Sequence, residues 1–214
     1  MCIGKGMIIR RGQQWPDYDT KTNDHQPLVE KFKLRDDKLI DRDFVRIEVL
    51  ALRDWSSAEP ENWRARIDEK ETLPAWFEKH KDNWLDKCVR LMCKTIVPLW
   101  LKEGIKGDID FGSNATATTL GEITNIGGNA DFRCSKITST PKLTNIGGNA
   151  DFWCSKIIST PKLENIGGYV DFRYSKITSV PKLENIGGDA YFEAAQKELA
   201  KKLEKAIKGA VFFD

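Results

Sequence analysis

The stretch GGNADFRCSKITSTPKLTNI at residues 127–146 is followed at once by a near copy, GGNADFWCSKIISTPKLENI, at 147–166. Seventeen of the twenty positions are identical, and a third copy, GGYVDFRYSKITSVPKLENI, fills 167–186. One such unit cannot bury its own apolar side chains, whereas stacked units share a continuous core. The fixed period of twenty residues therefore predicts a solenoid.

Apolar residues recur at positions 4, 6, 11, 17 and 20 when each copy is numbered from its first glycine. In the first copy these residues are Ala130, Phe132, Ile137, Leu143 and Ile146. Positions 4 and 6 alternate with polar neighbours at 3, 5 and 7, which predicts a short, half-buried strand. A proline at position 15 favours an extended backbone where the chain runs back towards the next copy. The two glycines then allow the turn into that copy.

This spacing resembles the leucine-rich repeat, L-x-x-L-x-L-x-x-N-x-L, and in particular the short twenty-residue bacterial type that continues x-x-L-P-x-L. The resemblance covers about residues 108–191 and departs from the family at two positions. Position 1 is glycine instead of leucine, and position 9 is serine instead of asparagine in all three copies. An earlier, degenerate unit at 108–128 has Asn114 at the equivalent of position 9. The resemblance implies that the odd strand positions face an open, concave surface.

Several residues of that surface are candidates for partner binding, because aromatic residues and arginine are enriched at binding hot spots. They are Asp131, Arg133, Asp151, Trp153, Tyr169, Asp171, Arg173, Tyr174 and Tyr191. Trp153 stands where the neighbouring copies have Arg133 and Arg173, and a solvent-facing position gives it no role in the core. The alternative interpretation is structural, with stacked aspartates at position 5 and arginines at position 7 forming a self-compensating row of charges.

Residues 1–106 are predicted to form a separate, small domain, since six of the seven tryptophans precede the repeats. Alternating β-branched residues predict strands at 6–11 and 43–52, and 62–69 is predicted to pair with the second of them. The polar, turn-rich stretch at 13–27 is predicted to be a loop.

An amphipathic helix of roughly six turns is predicted from Leu73 to about Val97, because apolar residues recur there at spacings of three and four. Pro74 suits the first turn, and Pro98 is expected to end the helix by disfavouring the helical conformation at the preceding residue. The fold class is therefore α+β: an N-terminal domain with one long helix, then a leucine-rich-repeat-like solenoid at 107–192.

A second amphipathic helix is predicted within 193–214, where it is expected to cap the C-terminal end of the solenoid. Its apolar stripe consists of Leu199, Leu203, Ala206 and Ile207. The lysines opposite this stripe also fit contact with a membrane or with calmodulin, which is the alternative interpretation. The apolar segment AVFF at 210–213 is predicted either to tuck under the cap or to pair with a second copy.

The composition excludes several classes of protein. The net charge is +2, and the repeat half carries 13 acidic and 13 basic residues, so direct nucleic-acid binding is not expected. No signal peptide and no membrane span are predicted. The five cysteines indicate free thiols in a reducing compartment, hence a cytoplasmic location, and a disulfide between Cys134 and Cys154 is disfavoured. No catalytic or zinc motif is present, so we expect no enzyme, no metal and no cofactor.

The preferred hypothesis is a non-enzymatic protein-binding module. The near identity of the copies indicates recent duplication, as in phage and host-interaction genes, and the narrower hypothesis is a phage-encoded, anti-CRISPR-like inhibitor of a bacterial defence enzyme. A second hypothesis gives the N-terminal domain an enzymatic or nucleic-acid-handling activity near Arg10, Arg11 and Trp15, with the repeats for targeting. A third is a structural homo-oligomer, a homodimer through the C-terminal tail or the sheet edge.

Overall fold

The N-terminal part of the chain meets the expectation of a small mixed unit that leads into a solenoid. The computed structural model describes residues 4–35, 42–67, 73–112 and 115–214. Within them, an antiparallel sheet with helices precedes a parallel β-solenoid of about five turns, so the predicted α+β fold class is confirmed. Asn114 and Cys2 lie outside the described residues.

Three antiparallel strands form the N-terminal sheet, in the order β1-β2-β3. They are β1 (Lys5–Arg10), β2 (Phe44–Ala51) and β3 (Trp63–Ile67). All three predicted strands are therefore confirmed, including the pairing of β3 with β2, although residues 68–69 of the third prediction lie outside the described residues. A short helix, α1 (Gln26–Lys31), begins at the end of the predicted loop and was not expected from the sequence.

The predicted long helix is broken near its start and continues past its predicted end. It consists of α2 (Ala75–Glu78), α3 (Lys81–Leu91), a π-helical turn (Met92–Ile96) and α4 (Val97–Glu103). The prediction that Pro98 ends the helix was wrong, because Val97 keeps helical angles. Pro98 falls in the first turn of α4, just after the wider π-helical turn, and a ring without an N–H is tolerated at such a position. The left-handed Gly104 ends the helix instead.

The turns of the solenoid contribute very short strands to two parallel sheets, six strands to the first and four to the second. The first sheet contains β4 (Ile109–Asp110), β6 (Ala130–Asp131), β8 (Ala150–Asp151), β10 (Val170–Asp171), β12 (Ala190–Phe192) and β13 (Val211–Phe213). The second contains β5 (Asn125–Ile126), β7 (Asn145–Ile146), β9 (Asn165–Ile166) and β11 (Asn185–Ile186). The first sheet confirms the strand predicted near positions 4 to 6, whereas the strand at positions 19 and 20 was not predicted.

The repeats stack in register, so that every residue lies against the same position of the next turn. Ala130 pairs with Ala150, and Ala150 pairs with Val170. This register explains the glycine at position 1, because a Cβ atom on Gly147 would overlap the carbonyl oxygen of Gly127. A leucine, which the leucine-rich repeat has at that position, would not fit between these turns.

A column of phenylalanine rings runs through the interior at position 6. Successive ring centroids of Phe111, Phe132, Phe152, Phe172, Phe192 and Phe213 are 4.8, 4.9, 5.6, 5.4 and 5.9 Å apart. The buried Trp55 of the N-terminal unit meets the first ring edge-on, with centroids 5.0 Å apart. One hydrophobic core therefore runs from the N-terminal sheet into the solenoid.

A ladder of asparagine side chains runs along the second sheet at position 19. The Nδ2 atoms of Asn145, Asn165 and Asn185 donate to the Oδ1 atoms of the preceding asparagines, at 2.5, 2.6 and 2.5 Å. At position 9 the hydroxyl groups of Ser135 and Ser155 are buried and have no hydrogen-bond partner among the described residues. Stacked amides thus do link the turns, but at position 19 instead of position 9.

The C-terminal helix is present and short, as a 3-10 turn (Ala194–Gln196) followed by α5 (Lys197–Leu203). The predicted apolar stripe is buried at Leu199, Leu203 and Ala206. The AVFF segment pairs with β12 of its own chain as β13, the last strand of the first sheet. No helix within the described ranges is long and apolar enough to cross a membrane.

Loss of one ladder asparagine should cost more in the middle of the ladder than at its end. We expect Asn145→Ala to lower the free energy of unfolding by about 1–3 kcal/mol, because the Oδ1 atom of Asn125 and the Nδ2 atom of Asn165 both lose their partner. Asn185→Ala removes only one such bond and should cost about 0.5–1.5 kcal/mol. Urea unfolding of both variants measures the difference, and equal losses would contradict a stabilising ladder.

Candidate functional site

The outer face of the first sheet presents the residues at positions 3, 5, 7 and 8, while positions 4 and 6 point into the core. We call this surface the outer face. Position 5 is Asp110, Asp131, Asp151, Asp171, Tyr191 and Phe212 in successive turns. Position 7 is Gly112, Arg133, Trp153, Arg173, Glu193 and Asp214. Residues at the same position therefore form columns along the sheet. The column at position 5 is aspartate in four turns and aromatic in the last two, whereas the residue type at position 7 varies from turn to turn.

Each aspartate of the column at position 5 closes the turn that follows its strand. The Oδ1 atoms of Asp131, Asp151 and Asp171 accept the backbone N–H of position 7 of the same turn at 2.9, 3.0 and 2.9 Å. The next residue then takes a left-handed conformation, with φ of 50° at Cys134 and 56° at Cys154. This local bond is a structural reason for aspartate at position 5, separate from the row of charges that the sequence suggested.

The two arginines of the outer face bind the aspartates of their own turns. The guanidinium group of Arg133 contacts the carboxylate of Asp131 at 2.5 Å and that of Asp151 at 3.4 Å. Arg173 binds Asp171 and Asp214, each at 2.7 Å. These hydrogen bonds and charges raise the pKa of both guanidinium groups above the ordinary value, so both stay charged.

Asp110 and Asp151 have no arginine of their own, because position 7 of their turns is Gly112 and Trp153. Burial raises the pKa of both carboxyl groups, and the neighbouring Asp131 raises it further. The backbone hydrogen bond from position 7 and the charge of Arg133 act in the opposite direction. The row of four aspartates is therefore only partly compensated by the two arginines.

Aromatic side chains form two clusters on the outer face. Trp153 meets Tyr174 edge-on with ring centroids 5.7 Å apart, and the two side chains are 37% and 55% exposed. Tyr169 meets Tyr191 edge-on at 6.2 Å, and Tyr191 stacks on Phe212 at 5.0 Å. The guanidinium group of Arg173 lies 5.3 Å from the centre of the Tyr191 ring and adjoins the second cluster.

An open groove of about 560 Å³ runs along the outer face between these side chains. Its lining residues are Asp110, Gly112, Asp131, Arg133, Asp151, Trp153, Asp171 and Arg173. A smaller depression next to it, of about 180 Å³, is lined in part by Asn129, Asn149 and Tyr169. The structure thus brings all nine predicted residues onto one surface, and their role in binding stays a prediction.

Sequence reasoning missed three residues of this surface: Asp110, Phe212 and Asp214. Asp110 belongs to the degenerate unit at 108–128, which is offset by 21 residues instead of 20, and it was not among the candidate residues chosen from the three copies. The recurring dipeptide Asp-Phe, present at 110–111 as in the three copies, is a signal that could have found it. Phe212 and Asp214 join the surface only because the chain returns to the sheet after α5.

Other candidate positions have simpler environments. Cys134 and Cys154 are exposed free thiols on neighbouring turns. Arg10 binds Asp17 at 2.8 Å and lies over the ring of Phe32 at 3.7 Å, so its charge is already used within the N-terminal unit. Among the residues that the structure describes, no group of three or more His, Cys, Asp or Glu side chains could hold a metal ion.

No family model, no curated protein and no solved structure matches this chain. The class that the fold defines is a parallel β-solenoid with repeats of about twenty residues. The likeness to the leucine-rich repeat therefore rests on the sequence pattern alone.

The carboxylate of Asp151, which has only the 3.4 Å contact with Arg133 of the neighbouring turn, should destabilise the fold at neutral pH. Because burial raises its pKa, the protonated form favours the folded state, and that contribution is lost as the pH rises through the folded-state pKa. We expect Asp151→Asn, whose side-chain oxygen can still accept the Trp153 N–H, to melt at a higher temperature than the parent at pH 7. The difference should vanish below the ordinary pKa of 3.8.

Asp131→Asn is the matched control, since Asp131 is bound directly by Arg133. This change weakens an ion pair that exists and should lower the melting temperature at pH 7. Thermal unfolding of both variants between pH 3 and 7 measures the contrast. Equal destabilisation by both changes would show that Asp151 is fully compensated, contrary to the interpretation above.

Proposed function

We propose that this chain is a non-enzymatic protein-binding module, and that its outer face receives basic side chains of a protein partner. The observation that carries the proposal is the pair Asp151 and Trp153. In the turns on either side, position 7 is an arginine that binds its own aspartate. Trp153 leaves the carboxylate of Asp151 without that partner and puts an exposed aromatic ring beside it.

The charges of the groove favour a cationic group. Four carboxylates and two guanidinium groups line it, and both guanidinium groups are already bound to aspartates. Asp151 has only the 3.4 Å contact with Arg133, so an arginine or lysine of a partner would add a second cation next to it, and that cation could lie over the ring of Trp153. Such a cation–π contact contributes about 0.5–2 kcal/mol. The excess of carboxylates over guanidinium groups also disfavours a nucleic acid as the ligand, because its phosphate backbone is negatively charged.

The shape of the groove favours a macromolecule. Small ligands are usually held in concave, mainly apolar pockets that cover most of their surface. Here the groove is open along the sheet, and its polar floor is flanked by the exposed rings of Trp153, Tyr169 and Tyr174. Tyrosine, tryptophan and arginine next to a polar groove are typical of the centre of protein interfaces.

A narrower hypothesis concerns the identity of the partner. Nearly identical tandem copies are typical of genes that duplicate and change quickly, and on that basis the partner would be a bacterial defence enzyme inhibited by a phage-encoded, anti-CRISPR-like protein of the leucine-rich-repeat type. This hypothesis rests on the sequence pattern. The charge and shape of the groove support only the broader statement, a protein partner that presents basic side chains.

Trp153→Arg tests the proposal with little risk to the fold, because the same position is arginine in both neighbouring turns. The new guanidinium group would bind Asp151 and remove the aromatic ring. We expect proteins captured from a bacterial lysate by the parent chain to be lost, and the affinity of the purified partner, measured by titration calorimetry, to fall by about 30-fold, as for loss of a hot-spot residue.

Ile158→Thr is the matched control. It also converts a residue of the second copy into its counterpart in the first, but Ile158 is exposed at position 12, away from the outer face. Its affinity for the partner should equal that of the parent. The proposal fails if Trp153→Arg binds the same partner with unchanged affinity, or if both variants lose it equally.

A further inference from the structure

The two ends of the solenoid differ in how the edge of the first sheet is covered. At the first turn, the N-terminal unit covers the sheet edge, since the backbone N–H of Gly4 donates to the carbonyl oxygen of Asp110 at 2.9 Å. Trp55 covers the first ring of the phenylalanine column, and its backbone N–H donates to the carbonyl oxygen of Thr119. Within the described residues, the edge of β4 is therefore already covered by the N-terminal unit.

The last turn ends in an open strand. All three residues of β13, Val211, Phe212 and Phe213, are 40–46% exposed, although their counterparts in β12 at positions 4 and 6 are fully buried. Phe213 is the last ring of the phenylalanine column, with one side packed on Phe192. Exposed, uncharged edge strands are rare in monomeric proteins because they template pairing with another chain.

The main-chain groups of β13 show how a second strand could pair. Ala210 accepts a hydrogen bond from Ala190, and the N–H of Asp214 donates to Phe192, so these residues direct their groups towards β12. Because the direction alternates along a strand, the N–H and C=O groups of Val211 and Phe213 point away from β12, towards the open edge.

We propose that β13 pairs with β13 of a second copy of this chain, antiparallel, about a two-fold axis that passes beside Phe212. In this register Val211 of each copy lies opposite Phe213 of the other, and every outward N–H and C=O group finds a partner. The two Phe212 rings meet on the axis as a non-hydrogen-bonded pair. The stacked rings of Tyr191 and Phe212 then continue into the same pair of the second copy.

Charge and topology both favour a second copy of this chain as the partner of β13, and a closed dimer as the result. No residue of β13 is charged, and the nearby Asp214 is neutralised by Arg173 at 2.7 Å, so like charges do not oppose self-pairing. Head-to-tail stacking would need a free edge on β4, which the N-terminal unit covers. Only tail-to-tail association remains for these strands, and a two-fold contact of that kind closes at two copies.

The test is the molar mass of the full chain, measured by light scattering and sedimentation over a wide concentration range. We expect the parent to reach twice the 24.4 kDa of one chain. Val211→Pro removes an N–H that points away from β12, at the first residue of an edge strand, where proline is tolerated. This variant should stay monomeric with an unchanged circular dichroism spectrum, while Ile158→Thr, which removes an exposed apolar residue elsewhere, should dimerise like the parent.

A parent chain that stays monomeric at every concentration overturns the proposal, and so does a Val211→Pro variant that still dimerises. If Val211→Pro does not fold, Phe212→Cys decides, because cysteines placed at the axis should form a disulfide-linked dimer under mild oxidation. The parent chain, with Cys134 and Cys154 exposed, is the background for that measurement. No more cross-linked dimer in Phe212→Cys than in the parent overturns the proposed register.

Discussion

The in-register stacking of the turns is the constraint on which the rest of the structure depends. Parallel strands lie about 4.8 Å apart, so every side chain meets its own copy in the next turn. A residue type suits a position only if it is compatible with itself at that distance. Phenylalanine at position 6 satisfies this condition by stacking, and asparagine at position 19 satisfies it because one amide group both donates and accepts. Glycine at position 1 satisfies it by having no side chain.

Aspartate at position 5 is the residue that conflicts with this constraint. It is needed locally, because its carboxylate closes the turn after the strand, but identical charges stacked along a sheet repel each other. Arginines in alternate turns relieve that repulsion, and the turn of Asp151 has a tryptophan in place of the arginine. The turn of Asp151 therefore lacks an arginine of its own, and it exposes the ring of Trp153 beside the carboxylate. A trade of stability for an exposed, chemically distinct group is typical of a binding surface.

The sequence predicted the parts of the fold that depend on local pattern. The core positions of the first copy, the strands of the N-terminal sheet and the stripe of the C-terminal helix all follow from periodicity, because burial repeats with the geometry of each element. Position 19 was overlooked since it is a polar residue, and only its neighbour at position 20 belongs to the apolar pattern. The passage of the helix through Pro98 could not be foreseen, because a π-helical turn depends on the packing of the helix and not on its composition.

The candidate surface was predictable to the extent that it belongs to the repeat. The nine residues chosen from the copies lie on one face because their register is fixed by the stacking, whereas Asp110 and Phe212 come from turns that have lost the repeat spacing. The first and last turns have a neighbouring turn on one side only. Their residues therefore need to be compatible with a copy of themselves on that side alone. At the first turn the chain solves this with Trp55, a large residue from another unit. At the last turn it places Phe213, a residue of the column itself, which packs on Phe192 on one side and is exposed on the other.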